Sequence, residues 1–478
     1  MANIIELNDF SVLHSLENSK LYKKMEQTPL IVLDTSLCEV VSKKSETEPF
    51  LEIRRGLKKD IVEISTFGYV GRFSALDHDF NITYRFGTLL LDSMVSKVND
   101  FEMKSLEIEA TTTKKKIKDN KSLVMRMLYM HFVLKLEKLS IIGLPKNYVR
   151  IEHRDKFKGQ IDINRYIKKD IPFQGKISSK SYEQEYVQEI VDVLYTALSV
   201  VENNFKTLVT QNIFQIRNLL NHYSNRQLVN EETIVKAVHH KVLQNPLYSE
   251  YKTTLKIASY IIKNTFDITQ KNNKFLTGLI FDVSLLWEAY LYKLLKDNIE
   301  DDNWKVIHEE VCEVYEGQFY KRKMKPDIVL KNKDTRQVII FDAKSKSMKF
   351  TRGLGDSSYG DLDRSDFFQI NTYMTYYDKQ GKEVIAGGLL YPIEKEFDCR
   401  FNNEKCKEDY KKLKAHSNNW FGNDKTKFIV DGIDLSYIEN NIEKDMDEKE
   451  KSKIRMKNIL NAENNFIDRI QKISENTE

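Results

Sequence analysis

Two short β-branched runs separated by a charged turn constrain this chain more than any other feature. They are Pro326-Asp327-Ile328-Val329-Leu330 and Val338-Ile339-Ile340-Phe341-Asp342-Ala343-Lys344. Their spacing predicts an antiparallel hairpin turning at residues 331–336. Asp327 opens the first strand and Asp342 closes the second. Residues two apart on a strand point to one face, so Asp342 and Lys344 project together. Two carboxylates and a lysine at the edge of an apolar core are costly to bury alone. A divalent cation offsets that cost, and hard oxygen ligands suit Mg²⁺, with Mn²⁺ as the alternative.

This run resembles the PD-(D/E)xK nuclease signature, with Asp342 in its third position. The resemblance implies a metal held by Asp327, Asp342 and the backbone carbonyl of Ala343. It also implies that Lys344 orients a water whose pKa the metal lowers and stabilises developing negative charge.

At 478 residues the chain is long enough for two or three domains. Hydrophobic content of 41% supports real cores, and a net charge of only +4 means that any DNA-binding surface must be local. The cysteines (Cys38, Cys312, Cys399, Cys406) are scattered without a CxxC, which points to free thiols in a reducing, cytoplasmic compartment. No signal-peptide pattern and no long apolar run is present, so neither secretion nor membrane insertion is expected.

Before Ile61, residues 30–33 read as a strand and residues 46–49 as a polar loop. Residues 61–64, 68–73 and 80–85 read as strands, with a tight turn at Asp77-His78-Asp79. Leu90, Leu91, Met94, Val95, Val98 and Phe101 then recur at helical spacing. Lys114-Lys115-Lys116 reads as a solvated loop, residues 123–136 as helix, and residues 148–151 and 159–162 as short extended pieces. Residues 182–263 read as helical almost throughout, a bundle in which the adjacent His239 and His240 are structural.

The next long helix is expected over residues 276–296, with Phe281, Leu285, Ala289 and Tyr292 on one stripe. Glu288 lies on or beside that buried face, where glutamate is unusual, and reads as a third carboxylate aimed at the hairpin. Residues 304–315 read as a strand. Residues 345–364 form a basic, glycine-containing loop at the mouth of the proposed site, with Lys346, Lys349, Arg352 and Arg364 as candidate DNA contacts. Gln369 and Tyr373, four apart, share a helix face. Residues 383–391 and 428–430 read as strands, and residues 437–473 as a charged helical tail with a solvated face. No GxxxxGK followed by Ser or Thr occurs, so no nucleotide is expected to bind through a P-loop.

The order helix with Glu288, strand, Pro326-Asp327, Asp342-Ala343-Lys344, helix with Gln369 and Tyr373, strand resembles the restriction-endonuclease-like core. Its Gln-xxx-Tyr helix is similar to that of the RecB-like branch. Residues 286–290, 341–344 and 366–373 are similar to the McrC family, the nuclease subunit of McrBC-type restriction systems. Gly68-Tyr69-Val70-Gly71-Arg72-Phe73, Tyr84-Arg85-Phe86-Gly87 and Gly159-Gln160-Ile161-Asp162 resemble its LlaJI-like branch. The resemblance implies a hexameric McrB-type AAA+ GTPase as partner, docked and stimulated by the N-terminal region. It also implies double-stranded DNA as substrate.

The expected fold is mixed α+β. Residues 1–172 form a β-rich partner-docking domain, 173–274 a helical connector, 275–400 a restriction-endonuclease-like α/β core, and 401–478 an extension with the helical tail. Two other readings remain: an autonomous RecB-like repair nuclease, and a non-catalytic scaffold for the motor.

Overall fold

Alternation over Ile61–Thr66 buries Val62 and Ile64 on one face, and strand pairing around them builds the N-terminal part of the molecule. The computed structural model describes residues 4–11, 14–25, 30–34, 39–41, 48–76, 78–98, 120–154, 156–173, 175–204, 213–226, 229–263, 278–301, 303–314, 323–346, 351–352, 360–361, 363–393, 416–443 and 446–475. Contacts divide it into two units, Met1–Asn120 with Lys274–Glu478, and Lys121–Asn273. Expectations at Glu46, Asp77, Phe101, Lys114-Lys115-Lys116, Lys349, Gly353 and Gly355 lie outside the described residues, as do Cys38, Cys399 and Cys406.

The first unit opens with β1 Ile4–Asn8, β2 His14–Glu17, helix α1 Ser19–Lys24, β3 Leu30–Asp34, β4 Glu39–Val41, β5 Pro49–Arg55, β6 Ile61–Thr66, β7 Tyr69–Ala75, β8 His78–Thr83 and helix α2 Thr88–Val98. The predicted strands at 30–33 and 61–64 are among them, as is the hairpin expected from 68–73 and 80–85, except that His78 and Asp79, read as turn, open its second strand, which ends at Thr83. One sheet runs β2-β6-β5-β3. Between the sheets Phe73 stacks on Phe80 with centroids 5.1 Å apart, and Phe50 meets Phe73 edge-on at 4.9 Å.

The second unit holds helix α3 Asn120–Ser140, β9 Lys146–His153, β10 Gln160–Ile161, β11 Ser179–Tyr186 and helices α4 Gln188–Asn204, α5 Phe214–Tyr223, α6 Glu231–Val238 and α7 Ser249–Lys263. The helical reading of residues 182–186 is corrected here. These residues pair with β9 throughout, and the helix starts only at Gln188. Ile190, Val191, Leu194 and Leu198 of α4 are core, as their spacing predicts. His239 ends α6, and the His240 ring accepts from the Val242 amide at 3.2 Å, so both are structural.

The first unit resumes with β12 Gly278–Asp282, helix α8 Val283–Ile299, β13 Trp304–His308, β14 Cys312–Glu313, β15 Lys323–Met324, β16 Ile328–Asn332, β17 Gln337–Ala343, β18 Thr351–Arg352, β19 Gly360–Asp361, helix α9 Arg364–Lys379, β20 Glu383–Ile393, β21 His416–Trp420, β22 Asn423–Asp434 and helix α10 Glu448–Glu475. Strand β12 completes the N-terminal sheet β1-β8-β7-β12-β4. The helix expected from residue 276 therefore begins later. Asp282 caps it, accepting from the Ser284 and Leu285 amides at 2.9 and 3.2 Å, and Phe281 belongs to a strand. A short apolar run does not distinguish strand from helix by periodicity alone. The strand expected over 304–315 also breaks at Glu309, whose φ is 46°.

The C-terminal sheet runs β13-β16-β17-β20-β22-β21. Strands β17, β20 and β22 are parallel, and α9 crosses over between the first two. Ile370, Met374 and Tyr377 of α9 pack against Ile340, Leu389 and Val430. A Cβ at Gly388 would lie 1.8 Å from the Ile429 carbonyl oxygen, so only glycine permits this approach of β20 to β22. The charged tail is more than a solvated helix. Phe466 and Ile470 of α10 are fully buried, Arg469 forks onto buried Asp431 at 2.7 and 2.8 Å, and buried Glu463 accepts from Tyr290 and Lys97. The expected mixed α+β class holds. Among the described residues no helix is long and apolar enough to cross a membrane.

Candidate active site

Strands β16 and β17 form the predicted antiparallel hairpin, with Ile328 opposite Phe341. One step further along that register sets Asp327 opposite Asp342. Asp327 Oδ2 accepts from the Ala343 amide at 2.8 Å, which fixes its side chain against the end of β17. Asp342 is fully buried, and neither of its side-chain oxygens has a hydrogen-bond partner. Its nearest cation is the Lys344 ammonium, 2.6 Å from Oδ2 but outside hydrogen-bond geometry.

The electrostatics are those of crowded acids. Burial, then the charges of Asp342 and Glu288, push the Asp327 carboxyl up to about 8. Burial likewise raises Asp342. Burial works to lower Lys344, but the Asp342, Asp366 and Asp327 carboxylates outweigh it and hold the ammonium protonated.

Helix α9 supplies the opposite wall. Lys344 Nζ donates to Gln369 Oε1 at 3.0 Å, Gln369 Nε2 donates to the Tyr373 hydroxyl at 2.9 Å, and that hydroxyl donates to the Lys325 carbonyl at 3.3 Å. The i, i+4 face predicted for Gln369 and Tyr373 therefore points at the lysine. One turn earlier stands Asp366, absent from the sequence-derived site. It is buried, lies 3.7 Å from Lys344 Nζ, pairs with Lys346 at 2.8 Å and accepts from the Tyr391 hydroxyl at 2.9 Å.

Glu288 is buried on α8 as predicted, and its field reaches Asp327, but its Oε1 is engaged by His308 Nε2 at 2.8 Å. Tyr292, one turn along α8, stacks on the His308 ring at 4.8 Å. The sequence reading missed His308. Its signal was a histidine ending a strand directly before the break at Glu309. Of the candidate DNA contacts, Lys346 is paired with Asp363 and Asp366, Arg364 is exposed at the start of α9, Arg352 lies on β18, and Lys349 is outside the described residues.

Among the described residues no group of three or more His, Cys, Asp or Glu side chains is gathered as a ready metal cage. The donor set nevertheless suits a hard cation. Asp342 brings two buried oxygens that make no hydrogen bond, Oδ2 lies 2.6 Å from the Lys344 ammonium, and Asp327 is held to the adjacent Ala343 amide. The family model of the McrBC 5-methylcytosine restriction system component matches residues 64–392. The chain belongs to the McrBC family. Every residue of the hairpin, of the α9 wall and the Glu288–His308 pair falls within the McrBC match. Membership makes this chain a component of a McrBC-type restriction system.

Among solved structures it is similar to a half-complex from a tetradecameric assembly of Thermococcus gammatolerans McrB AAA+ hexamers with bound McrC. The identity is 13%, covering 96% of this chain and 100% of that one, with a TM-score of 0.44. It is also similar to the Thermococcus gammatolerans McrBC complex, at 12% identity over 63% of this chain and 89% of that one, with a TM-score of 0.30. Comparison with curated proteins returns no match.

Proposed function

We propose that this chain is the DNA-cleaving subunit of a GTP-dependent McrBC-like restriction complex of the LlaJI-like, PD-(D/E)xK type. It would hydrolyse phosphodiester bonds of double-stranded DNA. The observation that carries the reading is the fully buried Asp342, whose only cation within ion-pair distance among the described residues is the Lys344 ammonium 2.6 Å from Oδ2, beside a second buried acid, Asp327. Such a carboxylate is costly in a fold that does not use it.

Asp327, Asp342 and the Ala343 carbonyl would hold Mg²⁺ (or Mn²⁺), with Glu288 supporting that shell. The bound cation supplies Lewis-acid polarisation of the scissile phosphate and a water of lowered pKa. Lys344 orients the attacking water and donates to the oxygen on which negative charge grows. Gln369 and Tyr373 keep the lysine aimed through their chain of hydrogen bonds. Arg364, and Lys346, Lys349 and Arg352 nearby in sequence, would track the DNA backbone.

The partner proposed is a McrB-type AAA+ GTPase hexamer, engaged and stimulated by the N-terminal region. The exposed apolar side chains Tyr148, Phe157, Ile161 and Ile167 support a protein contact there. The test is plasmid cleavage with Mg²⁺, with and without GTP and the AAA+ protein, with Lys344→Ala beside wild type. Cutting in the complete mixture alone, lost in Lys344→Ala, is expected. Cutting by the lone chain favours the autonomous RecB-like nuclease, and cutting by Lys344→Ala at the wild-type rate overturns the site.

A further inference from the structure

Lys344 directly follows β17, and the backbone around it is held from two sides. From one side its amide donates to the Leu390 carbonyl of β20 at 2.9 Å. From the other side the hold comes from the N-terminal sheet. Arg85, just after β8, donates from Nη2 to the carbonyl of Ser345, the residue following the lysine.

The Arg85 guanidinium is itself fixed. Nη1 pairs with Asp9 Oδ2 at 3.2 Å, and Asp9 Oδ1 accepts the Arg85 backbone amide at 2.6 Å. Phe86 lies 4.6 Å and Phe10 5.2 Å from its cationic carbon. A planar cation bounded by a carboxylate and two rings cannot pivot without losing several contacts. Ser345 is buried, and its hydroxyl meets Ser284 Oγ at 2.8 Å. Ser284 lies in the first turn of α8, one turn before Glu288, and Val283 donates to the Gly68 carbonyl at 2.8 Å. The end of the sheet where β8 finishes and β7 begins thus grips the backbone beside the lysine and the start of the glutamate helix.

We propose that Arg85 is a positioning residue for Lys344, fixing the backbone beyond the lysine so that its ammonium reaches the reacting phosphate. The inference rests on the nuclease reading. Arg85 acts through the Ser345 backbone, so its loss should slow the chemical step and leave ligand affinities alone.

The experiment uses the full chain with its AAA+ partner, GTP, Mg²⁺ and plasmid DNA. Arg85→Ala is expected to lower the single-turnover cleavage rate about 10- to 100-fold. DNA Kd and the Mg²⁺ half-saturation should stay within twofold, and millimolar guanidinium should restore part of the rate. Asp9→Asn, which keeps Arg85 but weakens its anchor, should lose less. Hydrogen exchange gives a readout independent of cutting: Arg85→Ala should speed exchange at residues 343–346 and leave residues 370–377 unchanged. A wild-type cleavage rate in Arg85→Ala, or a loss that appears in DNA affinity, overturns the proposal. So does unchanged exchange at residues 343–346. If wild type never cuts while exchange responds as expected, the nuclease reading fails and the backbone clamp stands. If Arg85→Ala does not fold, a wild-type rate and wild-type exchange in Asp9→Asn overturn the proposal.

Discussion

His308 Nε2 stands 2.8 Å from Glu288 Oε1, so the buried glutamate of α8 is oriented by a side chain from the neighbouring strand. Partners behind metal-supporting carboxylates typically contribute 10- to 100-fold in affinity or activity. His308→Ala is expected to raise the Mg²⁺ concentration for half-maximal cleavage by about tenfold or more. His308→Gln, which can still donate, should recover part of it. An unchanged Mg²⁺ titration in His308→Ala would remove the histidine from the site.

Burial raises both the Asp327 and the Asp342 carboxyl, and the charge of Asp342 raises Asp327 further. Asp327→Asn keeps an acceptor for the Ala343 amide and removes the need to take up a proton on folding at neutral pH, where a carboxyl raised to about 8 is protonated in the fold and ionised in the unfolded chain. It should abolish cutting yet stabilise the fold by about 1 kcal/mol, the usual scale for relieving a strained functional site. Thermal melting in the absence of divalent cation checks this. A lowered Tm would mean that the charge supports the fold.

The hairpin, Lys344, and the Gln369–Tyr373 face were legible because periods of two and of 3.6 residues place side chains without reference to anything distant. Glu288 stood out as an acid on an apolar stripe. His308, Asp366 and Tyr391 were not legible as site residues, since their roles come from packing across strands and helices. The misread stretches have a common cause. Leu279, Ile280 and Phe281 are apolar enough to continue a helix, and only the Asp282 cap and the pairing with β7 make them a strand. Residues 182–186, with helix-favouring Glu183, Gln184 and Glu185, are likewise made a strand only by their register with β9. The tail's burial was hidden because Glu463 and Arg469 look like solvated charges until Tyr290 and Asp431 meet them.

Arg469 and Asp431 form a buried fork, and Arg469 Nη2 also donates to the Gly432 carbonyl at 2.8 Å. Breaking one side of such a pair typically costs about 3–5 kcal/mol, because the other charge is left uncompensated. Asp431→Ala should therefore lower stability by about that amount in denaturant unfolding. Replacing both residues with apolar ones should cost much less. A single mutant as stable as wild type would show that α10 is held by its apolar face alone.

His131 on α3 is held neutral. Burial, then Lys135 and Lys138, lower its pKa from 6.5 to about 4. The folded value lies below the unfolded one, so the unfolded chain takes up the proton first. The second unit keeps its full stability above pH 6.5 and loses it as pH falls toward 4, by up to about 1.4 kcal/mol per pH unit from this group. Comparing Tm at pH 7 and pH 5 for wild type and His131→Gln isolates the contribution. The variant should lose less on acidification, and identical losses would contradict it.

Strand β12 pairs with β7 across about 200 residues of intervening chain, Gly278 meeting Phe73. Ribosomal synthesis at roughly 5–20 residues per second therefore leaves one edge of β7 bare for on the order of ten seconds or more. In that interval its unpaired amides and carbonyls can recruit any passing strand. A nascent chain stopped before Gly278 has Arg85 and Asp9 but neither Ser284 nor Ser345 to receive them. The half of the proposed clamp made first waits for the half made last, and the youngest form of this polypeptide is the most adhesive.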